Sequence, residues 1–146
     1  MPEPKKLERL VVEMEKYLVM HPKGKFEVID GKKYEDTLSM LQKNVGGFID
    51  LLYLGEELAE RDIDAYVNDE GKLIGLEPNF VRQFVKKDGD SLYDIVQGNV
   101  VFSKVDQSDG KTYPLDDDDI EFIKNYMGTN IYTLVNNYGL ISVVRI

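Results

Sequence analysis

A single α+β domain is predicted, with a mostly antiparallel sheet, an N-terminal helix and two or three packed helices. Three observations predict it. Segments with apolar residues at helical spacing are interspersed with segments of two-residue period. Short turns rich in glycine, asparagine and aspartate separate them. The 146 residues contain neither a repeat nor a linker, and that length suits one domain able to bury its own core.

Leu7, Leu10, Val11, Met14 and Leu18 share one helical face, which predicts a helix over 5–20 that His21-Pro22 and Gly24 stop. Lys25–Asp30 reads as a short strand with Phe26 and Val28 on one side, turning at Asp30-Gly31. Asp36 or Thr37 caps a second helix through Leu38, Leu41 and Val45, and Gly46-Gly47 supplies its left-handed exit. Phe48–Leu54 is an apolar strand. In Arg61–Asn68, Ile63, Ala65 and Val67 alternate with polar neighbours, the pattern of a half-buried strand. A hairpin turn at Asn68–Gly71 leads to a returning strand at Leu73–Leu76.

Pro78–Val85 reads as a short helix with proline in its first turn. Asp88–Asp90 is a loop, and Ile95–Val105 a strand with a bulge or turn at Gly98. After a polar loop, Asp116–Met127 forms a helix ended by Gly128. The tail from Ile131 closes as a hairpin turning at Asn136–Gly139.

Composition excludes several chemistries. There is no cysteine, hence no disulfide, thiolate metal site or cysteine nucleophile. One histidine leaves a zinc site dependent almost wholly on carboxylates, which is poor zinc chemistry. No apolar run approaches the roughly 20 residues that span a membrane, and the charged N-terminus does not read as a signal peptide. The expected compartment is the cytoplasm. Formal net charge is -9, concentrated in residues 34–75, which carry three basic and ten acidic groups. That field repels nucleic acid and attracts a partner with a basic surface.

Four blocks occur in order: Val45-Gly46-Gly47-Phe48-Ile49-Asp50, Asn68-Asp69-Glu70-Gly71-Lys72, Gly75-Leu76-Glu77-Pro78-Asn79 and Asp94-Ile95-Val96-Gln97-Gly98. Together they resemble an uncharacterised domain family of phages and mobile elements of Gram-positive bacteria. Its pattern is V-G-G-[YF]-I-[ED], then N-E-E-G-K, then G-L-P-x-N, then D-I-[VI]-x-G. Asp69 replaces the first glutamate of the second block, and Glu77 is inserted before Pro78. The similarity covers roughly Lys25 to Met127, leaving residues 1–24 and 128–146 as additions to the shared core. The resemblance implies provenance and carries no biochemical role.

Candidate sites are weighed against structural roles. Asp116–Asp119 reads as a cap and complement to a helix dipole rather than a cation site, and EF-hand spacing fails at Ser108 and Gly110. His21 reads as a helix terminator. Gly46-Gly47 lacks phosphate-loop spacing and sits at a helix C-terminus, whose carbonyls disfavour phosphate. Glu56, Glu57, Glu60, Asp62, Asp64, Asp69 and Glu70 form either a solvated face or an acidic interaction surface. Arg82, Lys86 and Lys87 are the best local cationic group, with Tyr113 and Tyr132 as aromatic companions. The stripe over 5–20 packs on its own domain or on a second copy.

No catalytic set emerges, and no cofactor is implied. The leading expectation is a non-enzymatic accessory protein of a phage or mobile element that binds and inhibits a host protein, such as a defence component, through its acidic surface. The alternative is a sponge for a nucleotide-derived signal, and a carboxylate–magnesium enzyme at Asp116–Asp119 is a third class.

Overall fold

The computed structural model describes residues 14–85, 87–129, 131–136 and 139–145. Among the described residues ten strands form two sheets, one of them central. In chain order the first elements are β1 (Lys16–His21), β2 (Lys25–Asp30), α1 (Thr37–Val45), β3 (Ile49–Leu52), α2 (Glu56–Glu60) and β4 (Ile63–Asn68). There follow β5 (Pro78–Val85), β6 (Ser91–Gln97), β7 (Val100–Val105), β8 (Thr112–Tyr113), α3 (Asp117–Thr129), β9 (Ile131–Asn136) and β10 (Gly139–Arg145). The central sheet runs β2-β1-β7-β4-β3, with β8 continuing beside β7; every pairing in it is antiparallel. The second sheet runs β6-β5-β10-β9, and its one parallel pairing joins β10 to β5.

The central sheet is covered on both faces. Tyr17, Val19, Tyr66 and Val101 meet Met40, Leu41 and Val45 of α1 on one side. Leu18, Met20, Val100 and Phe102 meet Ile120, Ile123 and Met127 of α3, together with Phe80 and Val96 of the second sheet, on the other. α1 forms as expected: Asp36 accepts from the Ser39 N–H at 2.7 Å and Gly46 leaves the helix at φ 79. The Asp116 carboxylate likewise accepts from the Asp119 N–H at 2.7 Å, opening α3. The hairpin of β9 and β10 also forms.

Five expectations are corrected. Residues 16–21 of the expected N-terminal helix are β1, paired with β2 and β7; residues 5–13 lie outside the described residues. A strand buried on both faces reads as an unbroken apolar run, here Tyr17–Met20, and loses its two-residue period. Pro78–Val85 is a strand, not a helix. Proline is tolerated as its first residue because it needs no ladder N–H, and a bulge between Pro78 and Phe80 follows at once. Ile95–Val105 is broken at Gly98 (φ 83) into β6 and β7, which belong to different sheets. Leu73–Leu76 is turn rather than returning strand, closed by Ile74 N–H to Glu70 O and Leu76 N–H to Gly71 O. Gly128 lies inside α3, one residue before its end.

Candidate functional site

The acidic series does not form one face. Glu56, Glu57 and Glu60 stand on α2 and Asp62 precedes β4, whereas Asp69 and Glu70 follow it. The six residues of β4 hold these groups roughly 20 Å apart. Asp64, between them, is half-buried. Burial raises its carboxyl above the ordinary aspartate value, only partly offset by a hydrogen bond from the Tyr66 hydroxyl at 3.2 Å.

Asp69 and Glu70 instead join a groove of about 420 Å³ between β3, the β4–β5 connection and the β5–β6 hairpin. Asp50 and Leu51 of β3 form one wall. The turn from Asn68 to Leu73 forms the second, and Arg82 with Asp94–Gln97 forms the third. The turn is held by the Asn68 carboxamide, which accepts from the Glu70 N–H at 2.8 Å and donates to Val45 O at 3.1 Å. Asp69 N–H closes it on Phe48 O at 3.0 Å.

The cations of this groove are already committed. Arg82 Nε donates to Asp94 Oδ2 at 2.8 Å, its Nη1 donates to Tyr53 O at 2.8 Å, and Lys72 Nζ donates to Asp94 Oδ1. Partial burial works against ionised Asp94, but these two cations outweigh it and hold the carboxyl below its usual range. Among the described residues no cationic nitrogen lies within 4.0 Å of Asp50, Asp69 or Glu70, so the free charge of the groove is negative.

Beside these carboxylates lie exposed apolar side chains. Leu73 is 87% exposed, Phe48 70% and Leu51 62%, with Ile74 also open to solvent. Single exposed leucines are ordinary; here Leu51 and Leu73 line the same concavity, with Phe48 and Ile74 close to them in the chain but outside its lining. Sequence reading missed Asp50, Leu51, Lys72, Leu73 and Asp94. A usable signal was the pair Leu73-Ile74, two large apolar residues in a turn beginning at a hairpin glycine.

The other candidates are dispersed. Tyr113 stands on β8 in the central sheet with its hydroxyl on Asp109 at 2.8 Å, away from Arg82 in the second sheet. Lys87 is exposed; Lys86 and the Tyr132 side chain lie outside the described residues. Of Asp116–Asp119, three carboxylates have structural work: Asp117 accepts from Lys16 Nζ at 2.7 Å. Asp116 caps α3, and Asp119, 2% exposed, accepts from the Asp116 N–H at 3.1 Å and pairs with Lys104 at 3.1 Å and Arg61 at 3.5 Å. Burial opposes the Asp119 charge, but the Asp116 N–H and Lys104 prevail and keep its carboxyl below the ordinary value. Among the described residues no three His, Cys, Asp or Glu side chains are grouped to hold a metal. No described helix is long and apolar enough to cross a membrane.

The four sequence blocks converge on this region. A Cβ on Gly47 would fall 2.8 Å from Asn68 Nδ2, so the first block leaves room for the second. Lys72 of the second meets Asp94 of the fourth. Asn79 of the third donates to Gly98 O of the fourth at 2.9 Å. The inserted Glu77 is accommodated, its carbonyl accepting from Gly98 N–H at 2.7 Å. Fold and site thus define a two-sheet α+β domain whose motif residues brace an acid-rimmed groove of mixed polar and apolar lining.

The chain belongs to the family described as Domain of unknown function (DUF3846), whose model matches residues 14–128. That match includes β1, N-terminal to the span over which the motifs carried the resemblance. No curated protein matches the chain, and no solved structure does.

Proposed function

We propose that the protein is a non-enzymatic accessory protein of a phage or mobile element that binds and inhibits a host protein, with the groove beside β3 as its contact surface. The phage setting is supported by the four sequence blocks. The contact surface is supported by one observation: Leu51 and Leu73, both largely exposed, share a groove with the carboxylates of Asp50, Asp69 and Glu70, which have no cation within 4.0 Å among the described residues. Burying that apolar surface against a partner recovers about 25 cal/mol per Å². The carboxylates then select a basic partner and speed its approach. Among the described residues β3 pairs with β4 alone, so its outer edge is open to a basic, partly apolar strand of that partner. Short length and the central Asp50 protect this edge from pairing with itself.

The test is retention of host proteins on the immobilised chain at low salt. A host protein held by the unaltered chain should be lost with Leu73→Ser or with Asp50→Lys combined with Glu70→Lys. Reversal of Glu56 and Glu57, at the far end of β4, should leave it bound. Equal retention by all variants would sink the reading. A sponge built on Arg82, Lys86, Lys87, Tyr113 and Tyr132 has no comparable support, since Arg82 is engaged by Asp94 and Tyr53 and Tyr113 lies in the other sheet.

A further inference from the structure

A second concavity has the opposite charge. We infer that the hollow between the β1–β2 turn, the end of α1 and the β6–β7 turn binds a phosphate-bearing small molecule, independently of the groove beside β3. The hollow measures about 560 Å³, within the range of small-molecule sites. Three elements each bring it a lysine: Lys23 from the β1–β2 turn, Lys25 from the start of β2 and Lys43 from the last turn of α1. Among the described residues no carboxylate lies within 4.0 Å of Lys25 or Lys43, and Lys23 has only Glu77 at 3.8 Å. Lys43 Nζ also stands 5.9 Å from the centroid of the Tyr34 ring, Glu77 joins the lining, and Glu27 lies 2.9 Å from His21 Nε2. Three lysines around one hollow still run against a chain whose net charge is -9.

The wall is fixed rather than collapsible. His21 Nδ1 lies 3.1 Å from Asn99 Oδ1, and Asn99 Nδ2 donates to Asn44 O at 2.9 Å, so one chain of hydrogen bonds ties all three elements. Lys23 itself is held at φ 71, a left-handed conformation that residues with a Cβ rarely adopt. The fold therefore maintains Lys23 at this position against its own backbone preference.

A helix C-terminus ordinarily disfavours an anion, but here three of its last four carbonyls are engaged. Gln42 O accepts from the Gly46 and Gly47 N–H groups, Asn44 O from Asn99, and Val45 O from Asn68. The three lysines outnumber the two carboxylates, Glu77 and Glu27, so the local charge is positive. Pro22, Val45 and Leu76 add apolar wall, which suits a ligand carrying a ring or short hydrocarbon beside its phosphate.

His21 is the chain's single histidine, so its ring proton signals provide an unambiguous probe in the wall of the hollow. Titration with inorganic pyrophosphate at low ionic strength should shift those signals saturably. Adenosine monophosphate should do the same at lower concentration if the apolar wall contributes. The Lys23→Gln, Lys25→Gln, Lys43→Gln variant should weaken binding by roughly tenfold or more, as expected for three exposed ion pairs. Its unchanged thermal midpoint would separate loss of charge from loss of fold. Absence of a saturable shift for either probe overturns the inference, and so does equal affinity in the triple variant. Neither result bears on host-protein capture, which the lysine substitutions do not touch.

Discussion

Asn79 fastens the second sheet to the first by donating from Nδ2 to Met20 O at 2.9 Å. The same nitrogen donates to Gly98 O, also at 2.9 Å. The bulge between Pro78 and Phe80 leaves this one residue out of the ladder, and its side chain bridges β5, the end of β1 and the break between β6 and β7.

Asn79→Ala removes both donations and leaves two main-chain carbonyls to find other partners. The cost expected is about 2 kcal/mol, since an unmet buried polar group costs roughly 1–3 kcal/mol. Urea unfolding should show a lower midpoint with little change in slope.

Gly98→Ala should also destabilise. Its φ of 83 is one that residues with a Cβ avoid, and that Cβ would fall 2.7 Å from Leu76 Cδ1. The backbone alone accounts for about 1–2 kcal/mol. Gly110→Ala, at φ 68 but with nothing within 4 Å, should cost less. The gap between the two unfolding midpoints measures the close approach of Leu76.

Acid should unfold the chain partly through Asp94 and Asp119. Both carboxyls lie below their ordinary value in the folded protein. Their contribution is therefore full above the unfolded aspartate value of about 3.9 and is lost as pH falls through the lowered folded values. Asp119→Asn should cost about 3 kcal/mol at neutral pH, because Arg61 and Lys104 lose their shared anion. It should also flatten the acid limb of a plot of unfolding free energy against pH.

Asp64 acts in the opposite sense. Its carboxyl is raised, so ionisation costs the folded state stability as pH climbs from the unfolded value through the raised one. Asp64→Asn should be slightly more stable than the unaltered chain at neutral pH. The advantage should vanish below about pH 3.9, where both chains carry a neutral group in either state. A stability deficit at neutral pH would contradict the assignment.

Locally specified structure was legible in the sequence. α1 is marked by its own cap at Asp36 and exit at Gly46, the start of α3 by Asp116, β2 by its turn at Gly31, and the closing hairpin by the glycine at 139. Each signal resides in a few neighbouring residues and in backbone hydrogen bonds made nearby. The net charge of -9 was legible too, because charge is additive and needs no geometry.

Tertiary structure alone decided the rest. β1 is a strand because β2 and β7 pair with it and layers cover both its faces, which erases the alternation a strand would otherwise show. β5 is a strand because β6 and β10 supply its partners, whatever its opening proline suggests. The acidic series scattered to both ends of β4, while Asp50, Asp69 and Glu70 line one groove together with Arg82 of a distant strand. Propensity and period act over a few residues, whereas strand pairing and burial join residues far apart in sequence. Which carboxylates share a groove, and which lysines share a hollow, is therefore set by the order of strands in the two sheets.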